Sequence, residues 1–395
     1  MNVSLNYLSD LFLFWNLKKI SYGYLELIDF QNKRHFFGNE KSPLRAKVKI
    51  NNPGFSLKLL RRGSSGLGES YINNEFETED LSSLIELSAR NINITYKFSG
   101  FFQFFSLNNF LNNKIFSNTK KRSQKNISRH YDLGNEVFSA FLDKTLTYSC
   151  GIFNSPNETL EKAQINKYNN LINLVNPKNG DRILEIGCGW GGFAEHLAKN
   201  YNVKIDCITI SKKQFLFTKE RIRKLKLTNK VNVKMMDYRD VANKYDIIVS
   251  IEMIEAVGEK YLNKYFEVIK KNLAPGGRGA IQAIIIKDEL YKGYRTREDF
   301  IQKYIFPGGF LPSLQSLNQL SEKSGLKIEN YKMYGNHYSN TLQKWRKSFL
   351  NSWDKISRQG FDVSFKKMWD FYFSYCDAGF KSENINVVQF SLYNK

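Results

Sequence analysis

Residues 181–192, DRILEIGCGWGG, join an apolar run to a cluster of glycines. The run at 182–186 predicts a buried β-strand, and the residues after the glycines, FAEHLAKN, begin a helical pattern. Glycines allow a backbone to approach a ligand closely, and the open amides of a helix N-terminus lie just beyond them. The stretch therefore predicts a doubly wound α/β sheet with a nucleotide-type ligand at this turn.

The spacing of the glycines narrows the class of ligand. A dinucleotide site is typified by G-x-G-x-x-G and an acidic residue at the end of the second strand. Here the glycines read G-x-G-x-G-G, the second strand at 203–208 ends in Thr209-Ile210-Ser211, and no P-loop motif is present. The better match is the glycine loop of class I methyltransferases, which surrounds the methionyl part of S-adenosylmethionine.

The segments that follow continue the alternation of strand and helix. Met235-Met236-Asp237-Tyr238 ends one strand and places Asp237 to hydrogen-bond an adenine. YDIIVSIEMIEAVG at 245–258 contains the next strand, and AIQAIII follows a PGG turn at 275–277. This ensemble predicts an α/β fold with a Rossmann-like class I methyltransferase sheet.

Chain length and composition predict two domains. At 395 residues the chain has room for a second domain. We expect a small α+β N-terminal domain at 1–110, in which residues 63–81 form a polar loop before a capped helix, then a basic linker at 111–128, and the methyltransferase domain at 129–395. Three aromatic-rich helical segments are predicted to form a lid over the cofactor cleft: 300–313, 334–349 and 368–380.

The spacing of the cysteines and the hydropathy pattern indicate in which cellular compartment the protein works. The four cysteines are scattered and form no C-x-x-C pair, as is usual in a reducing compartment. No run of 18 apolar residues occurs, so we expect a cytoplasmic protein without a membrane span or signal peptide. No metal site is predicted.

The net charge of +21 raises the question of an anionic partner. Residues 112–129 carry six basic residues and no acid, and residues 212–234 carry nine basic residues against Glu220 alone. Such clusters suit an anionic polymer or an anionic membrane surface, although a Lys-rich composition can also produce them. We expect peripheral association with the inner face of the membrane, with the N-terminal domain as a second contact or as the element of a homodimer.

Several motifs in one order carry a resemblance to a known family. They are ISRHYDLGNEVFSAFLDKTLTYSCGIF (127–153), LEIGCGWGG, TISKKQ (209–214), IEAVG (254–258), FIQKYIFPGGFLPS and HYSNTLQKW (337–345). Together they resemble the cyclopropane-fatty-acyl-phospholipid synthase family, to which the mycolic acid cyclopropane synthases are related. The N-terminal segment SSGLGESYINNEFETEDL also looks like the extra domain of the bacterial phospholipid enzymes, so the resemblance covers nearly the whole chain.

The resemblance implies which residues meet S-adenosylmethionine. Residues ahead of the first strand, in the glycine loop and after the second and third strands would form the cofactor wall: Tyr148, Ser149, Gly187, Gly189, Thr209, Ile210, Gln214 and Asp237.

The resemblance also implies a bicarbonate ion beside the transferred methyl group. The implied ligands are Cys150, Glu255, Gln282, Ile284 and Tyr338. Gln282 stands where the family has a histidine, and Ala256 where many members have another. An amide can donate a hydrogen bond to an anion but cannot carry a proton or a charge. Tyr338, Phe306 and Phe310 are candidates to face a carbocation with their aromatic rings.

The implied activity is methyl transfer to the cis double bond of unsaturated acyl chains in membrane phospholipids, with closure of a cyclopropane ring. Methylation without ring closure, which would give a methyl-branched or methylene chain, is the nearest alternative, because of Ala256 and Gln282. A small-molecule or RNA methyltransferase and a non-catalytic lipid-binding protein are further alternatives. We expect no nucleic-acid partner, because the chain has no RNA-binding module and no N/D-P-P-Y/F motif.

Overall fold

The computed structural model describes residues 2–94, 118–131 and 134–394. Two compact units are present, and each gathers separated parts of the chain. The first unit comprises Met1–Ile115, Thr296–Ile305 and Trp353–Asn384, and the second comprises Phe116–Arg295, Phe306–Ser352 and Ile385–Lys395. Each unit therefore consists of three separate segments of the chain, and neither is one continuous stretch of sequence.

A seven-stranded sheet forms the centre of the second unit. Its strands are β5 (Arg182–Ile186), β6 (Lys204–Thr209), β7 (Val231–Met235), β8 (Tyr245–Ile251), β9 (Leu273–Ile286), β10 (Leu326–Met333) and β11 (Ile385–Asn394). Its helices are α4 (Lys120–Tyr131), α5 (Asn135–Phe141), α6 (Leu160–Val175), α7 (Gly192–Asn200), α8 (Lys212–Lys224), α9 (Leu262–Asn272), α10 (Asp288–Tyr294), α11 (Leu314–Lys323) and α12 (Gly335–Asn351).

The strand order is β10-β11-β9-β8-β5-β6-β7. β5 pairs in parallel with both β6 and β8, while β11 runs antiparallel between β9 and β10. Apolar clusters cover the sheet, and four of the five residues of β5 are buried, as expected for parallel strands packed on both faces. The predicted Rossmann-like α/β sheet is confirmed.

The first unit combines a four-stranded sheet with helices. The strands β1 (Tyr24–Ile28), β2 (Arg34–Gly38), β3 (Arg45–Ile50) and β4 (Phe76–Thr78) lie in the order β2-β1-β3-β4. The helices are α1 (Asn2–Leu17), α2 (Phe55–Ile72), α3 (Leu81–Arg90), α13 (Trp353–Ser357) and α14 (Val363–Lys381). An α+β unit was expected at this end of the chain, but α13 and α14 come from its far end.

Three segments differ from the sequence prediction. Residues 63–72 of the expected polar loop continue α2 beyond a kink at Gly63, whose φ is 53°, before Asp80 caps α3. The expected linker is helical from Lys120 onward, and its residues 111–117 lie outside the described part of the chain. The aromatic segment 368–380 belongs to α14, which packs on α2 and α3. Aromatic spacing indicates a buried helix face but not which element covers it.

Among the described residues, no helix is both long and apolar enough to span a bilayer.

Candidate active site

The order of the strands reverses between β5 and β8, so the helices that follow them leave a crevice at their carboxyl ends. An open cleft of about 1090 Å³ occupies this place. It is lined by all the residues predicted to meet the cofactor: Tyr148, Ser149, Gly187, Gly189, Thr209, Ile210, Gln214 and Asp237. The topology thus brings together residues that are far apart in the sequence.

Two glycines shape the turn between β5 and α7. Gly187 has a φ of 83°, and a Cβ atom there would come within 2.6 Å of Met253 Cγ. Gly189 has a φ of 53°, and a Cβ atom there would find no atom within 4 Å. The first glycine is therefore required by packing, whereas the second leaves the backbone open toward the cleft.

The end of β6 carries hydroxyl and amide groups in place of a carboxylate. Thr209 Oγ1 donates to Gln214 Oε1 at 2.9 Å, and Ser211 caps α8 by accepting from the backbone N–H of Gln214. Both Thr209 and Gln214 are buried. This corner of the cleft is therefore polar, ordered and uncharged.

Asp237 supplies a negative charge next to this corner, just after the neighbouring strand β7. Arg239 donates to both of its carboxylate oxygens, from Nε at 2.8 Å and from Nη2 at 2.6 Å. Burial alone would raise the pKa of Asp237, but the hydrogen bonds and charge of Arg239 outweigh burial and hold that pKa below its ordinary value. Asp237 is thus an ionised, fixed acceptor beside the predicted adenine position.

A second carboxylate lies deeper, at the end of β8, and the sequence prediction missed it. Glu252 Oε1 accepts from the backbone N–H of Cys150 at 2.9 Å and from Gln282 Nε2 at 2.7 Å. Glu252 Oε2 accepts from the hydroxyl of Tyr338 at 2.6 Å. An ionised carboxylate is an acceptor only, so these donors match its charged form.

Gln282 is held in this orientation by a neighbouring strand. Gln389 of β11 faces Gln282 of β9 across the sheet, and its Nε2 donates to Gln282 Oε1 at 2.8 Å. Since the carbonyl oxygen of Gln282 is engaged by Gln389, its amide nitrogen points at Glu252. Both glutamines are buried.

A buried lysine lies near the same carboxylate. Lys167 Nζ donates to Ser149 Oγ at 2.6 Å, and the residue is fully buried. Burial lowers the pKa of Lys167 to about 8, and the negative charge of Glu252 opposes the fall. Burial likewise raises the pKa of Glu252, while the hydrogen bonds of Tyr338 and Cys150 and the charge of Lys167 oppose the rise. Each group therefore stabilises the charged form of the other.

Cys150 takes part through its backbone. Its thiol donates to the carbonyl oxygen of Gly151 at 3.2 Å and is completely buried. Burial, followed by the charge of Glu252, raises the pKa of the thiol well above its ordinary value. The thiol therefore stays protonated and is not a nucleophile, in agreement with the lack of an adjacent base in the sequence.

Glu255 lies apart from this shell. The backbone N–H of Ile284 donates to Glu255 Oε1 at 2.5 Å, and Oε2 is buried without a hydrogen-bond partner among the described residues. Burial and the nearby charge of Glu252 raise the pKa of Glu255 to about 8. Glu255 is therefore a neutral acid at pH 7.

The residues expected to hold bicarbonate thus separate into two groups. Cys150, Gln282 and Tyr338 surround Glu252, whereas Ile284 binds Glu255. Because the three donors already bind a carboxylate of the chain itself, the donor set does not fit an additional bicarbonate. The signal that could have found Glu252 is the presence of two glutamates in IEMIEAVG, of which Glu252 lies three residues before Glu255.

Aromatic rings form the apolar side of the site. The ring of Tyr148 lies 5.3 Å from that of Phe138, 5.2 Å from Trp345 and 6.3 Å from Phe306. Phe310, in contrast, is buried against Tyr294, with ring centroids 5.4 Å apart, and belongs to the core of the sheet. The structure thus places Phe306 beside the site and Phe310 in the core, because the FPGG turn directs the two rings to different neighbours.

Comparisons with known proteins show the family of the chain. Residues 118–390 match the family "Mycolic acid cyclopropane synthetase". The tuberculostearic acid methyltransferase UfaA1 of Mycobacterium tuberculosis is 34% identical over 85% of this chain and 80% of its own length. The cyclopropane-fatty-acyl-phospholipid synthase of Escherichia coli K12 is also 34% identical, over 87% of each chain.

Solved structures extend the similarity to the fold. The cyclopropane synthase MmaA2 of Mycobacterium tuberculosis has a TM-score of 0.64 at 26% identity, covering 68% of this chain and 97% of its own. The mycolic acid cyclopropane synthase CmaA1, in complex with SAH and CTAB, has a TM-score of 0.63 at 26% identity, covering 69% of this chain and 98% of its own. With its glycine loop, its reversed strand order and a family match over residues 118–390, the chain belongs to the mycolic acid cyclopropane synthetase family of S-adenosylmethionine-dependent methyltransferases.

Proposed function

We propose that the chain methylates the cis double bond of unsaturated acyl chains in membrane phospholipids and closes a cyclopropane ring. The observation that supports this most directly is the position of Glu252. Glu252 lines the same cleft as Gly187, Gly189 and Tyr148, and the ring of Tyr148 belongs to the aromatic cluster. S-adenosylmethionine, which the residues of the glycine loop would hold, would supply a sulfonium methyl group in this cleft.

The chemistry of an alkene explains why both an apolar surface and an anionic group are needed. An isolated alkene is a weak nucleophile, and its methylation leaves a carbocation that water would trap. Apolar rings such as Tyr148 and Phe306 exclude water, and each aromatic face can stabilise a cation by about 0.5–2 kcal/mol. A negative charge then stabilises the cation, and a base is required to remove a proton from the new methyl group. Glu252 is suitably placed for that task.

The lipid substrate requires the protein to reach a bilayer. α1 exposes an apolar stripe in which Leu8, Leu11 and Trp15 are 57%, 48% and 57% exposed, and the exposed residues Lys18 and Lys19 follow it. An exposed apolar helix face next to lysines is typical of a segment that lies in the interface of an anionic membrane. We propose that α1 makes the membrane contact, and that the protein binds the inner face of the membrane peripherally. Use of the same stripe for a homodimer is the alternative.

The basic cluster at 212–234 is a weaker candidate for that contact than its composition indicated. At least four of its nine basic residues form ion pairs within the chain: Arg221 with Glu195, Arg223 and Lys224 with Glu220, and Lys234 with Asp206. A paired charge attracts an anionic surface less than a solvated one. The exposed stripe of α1 therefore supports the proposed membrane contact more strongly than this cluster does.

A second candidate function is methylation without ring closure. One relative is named a tuberculostearic acid methyltransferase and another a cyclopropane synthase, and both are 34% identical to this chain. Overall identity therefore favours neither outcome. What distinguishes the outcomes is where the cation lies when the proton leaves. Proton loss from the new methyl group closes the ring while the cation is on the neighbouring chain carbon, whereas a hydride shift that moves the cation to the methylated carbon before proton loss gives an alkene.

Mass spectrometry of lipids from a bacterial host that expresses this chain tests the proposal. We expect phospholipids with unsaturated acyl chains to gain the mass of one methylene group. Mild catalytic hydrogenation then separates the two outcomes, because an alkene gains two hydrogens whereas a cyclopropane does not. A host that expresses the Gly189→Val variant serves as the control. Acyl chains that remain unchanged in the presence of folded protein would contradict a lipid substrate.

A further inference from the structure

The hydrogen-bond donors expected to hold bicarbonate are engaged by the chain itself. We infer that the carboxylate of Glu252 takes the place of a bound bicarbonate, so that this enzyme carries its own anion and base and works without bicarbonate. The inference rests on the proposed function for the identity of the reaction. The replacement of a free anion by a side chain can be tested separately from that reaction.

The carboxylate of Glu252 has one acceptor position that is free to take a proton. A carboxylate offers about four acceptor positions on its two oxygens. Cys150 and Gln282 fill two of these positions on Oε1, and Tyr338 fills one on Oε2. One position on Oε2 therefore remains for a proton, on a residue that lines the cleft and is only partly buried there.

The residues around Glu252 suit an anion that is covalently attached. Gln282 cannot bring a positive charge to the site, yet Gln389 fixes its amide nitrogen toward Glu252. The compensating positive charge comes from Lys167, which is fully buried and interacts electrostatically with Glu252. A free anion can leave the site unless a charged partner holds it there. A side-chain carboxylate is attached to the chain and therefore needs no charged partner in direct contact.

The backbone at Glu252 supports a functional reason for the residue. Its φ is 48°, in the left-handed region that favours glycine, and its N–H donates to the carbonyl oxygen of Gln282 at 2.8 Å. A residue with a side chain is strained in this conformation, and such strain persists where the surrounding structure requires it. Here the strained backbone turns the side chain back onto the donors at Cys150, Gln282 and Tyr338.

The proposed step balances in atoms and electrons. The bond between sulfur and the methyl carbon breaks, sulfur keeps the electron pair, and the alkene forms a carbon–carbon bond to the methyl group. The other alkene carbon is then a carbocation. Glu252 Oε2 accepts a proton from the new methyl group, and the electrons of that C–H bond form the second carbon–carbon bond. The proton later passes from Glu252 to solvent.

A binding experiment tests the replacement without any lipid. We propose ¹³C NMR of labelled bicarbonate, in the presence of S-adenosylhomocysteine, with wild-type protein and with Glu252→Gly. Glycine relieves the left-handed backbone, so this variant is expected to fold, and it frees the donors for a bicarbonate ion. We expect no saturable binding to the wild type and one bound bicarbonate per Glu252→Gly chain. Stoichiometric binding to the wild type would overturn the inference.

An activity experiment adds the bicarbonate dependence of turnover, which would not change if Glu252 had only a structural role. In buffer freed of carbon dioxide, wild-type turnover is expected to stay within about twofold, and turnover of Glu252→Gly to fall by about 10²-fold, the usual contribution of a general base. Added bicarbonate should restore turnover of Glu252→Gly at least tenfold, but not that of Glu252→Gln, whose amide fills the position.

Glu383→Gly is the matched control, because Glu383 is exposed and also has a positive φ, of 59°. Wild-type turnover that requires bicarbonate, or a Glu252→Gln variant with normal turnover, would overturn the inference. Wild-type protein that binds S-adenosylmethionine but methylates no lipid would contradict the proposed function alone, since the binding experiment would still report on Glu252.

Discussion

Glu252 and Glu255 lie three residues apart and differ in their hydrogen bonds and in the charges near them. Glu252 accepts three hydrogen bonds and has a buried cation nearby, whereas Glu255 accepts one and leaves an oxygen without a partner among the described residues. Burial raises the pKa of both carboxyl groups, to about 8 at Glu255, and two carboxyl groups in different surroundings can divide between them the roles of base and neutral acid. The sequence motif IEMIEAVG contains both residues but not the contacts that distinguish them.

The open position at Gly189 predicts a loss of cofactor binding on substitution. In a Gly189→Val variant, the side chain would project into the cleft, and its φ of 53° would cost about 1–2 kcal/mol for an L-residue. We expect a folded protein with binding of S-adenosylmethionine reduced at least 10²-fold, measured by isothermal titration calorimetry. Gly180→Val, at a positive φ outside the cleft, controls for the backbone cost. Wild-type affinity in folded Gly189→Val would contradict the role of this loop.

The buried carboxyl of Glu185 predicts a pH dependence of stability. Burial raises its pKa to about 8 from an ordinary value of 4.5. Between these values the folded state holds a proton that the unfolded chain releases, so the free energy of unfolding falls as the pH rises, by at most about 1.4 kcal/mol per pH unit. Glu185→Gln, which mimics the neutral acid, should flatten this slope in urea unfolding between pH 5 and 8. The exposed Glu136→Gln should keep the wild-type slope, and equal slopes in all three proteins would refute the prediction.

At the level of elements, the pairing of β9 with β11 positions the site. β11 returns from the first unit and inserts beside β9, and this register sets Gln389 opposite Gln282. On the other side, α12 supplies Tyr338. The expected helical lid therefore acts on the site through α12, while the segment at 368–380 packs within the first unit.

The pairing of β9 with β11 predicts an indirect effect on turnover. In a Gln389→Leu variant the carbonyl oxygen of Gln282 loses its buried partner, which costs about 1–3 kcal/mol of stability, and its amide is free to turn away from Glu252. We expect turnover to fall about tenfold with little change in the KM for S-adenosylmethionine. Steady-state kinetics and thermal unfolding measure the two effects. Gln389→Glu, which can still bond to Gln282 when protonated, should regain turnover at low pH. An unchanged kcat in Gln389→Leu would contradict the positioning role.

At the scale of the whole molecule, each of the two units consists of three separate segments of the chain. The family match begins at residue 118 and ends at 390, so it crosses segments that belong to the first unit. Residues 296–305 and 353–384 are therefore matched as part of the family although they pack with the N-terminal segment. The predicted boundary at 129 marks a change of composition and not a change of packing.

The charge and the exposed stripe of α1 predict binding to anionic vesicles. Co-sedimentation should be stronger with anionic than with zwitterionic phospholipid, and should weaken as the Debye length falls from about 10 Å at 0.1 M salt to about 3 Å at 1 M. A variant with Leu8, Leu11 and Trp15 changed to serine should bind less at every salt concentration. A variant with Lys120, Lys121 and Arg122 changed to serine should bind less at low salt alone.

The control for the α1 variant is Val363→Ser, which removes an exposed apolar residue elsewhere in the same unit. If binding to vesicles does not depend on lipid charge or on salt, the net charge of +21 reflects a Lys-rich composition and not an anionic membrane partner. A particle of twice the chain mass in light scattering that becomes monomeric in the α1 variant, without any loss of vesicle binding, would assign the stripe to a homodimer.

Local pattern by itself determined the sheet and the glycine loop, whereas the resemblance of several motifs to a known family predicted the residues of the cofactor wall. Strand periodicity, a turn at clustered glycines and the residues just after each strand depend on near neighbours in the chain, and parallel strands bring their carboxyl ends to one edge. Only the tertiary structure decided which glutamate is the centre of the site. The donors to Glu252 lie 102, 30 and 86 residues away in sequence, at Cys150, Gln282 and Tyr338. Hydrogen bonds over such separations depend on the register of β9 and the placement of α12, which no local pattern contains.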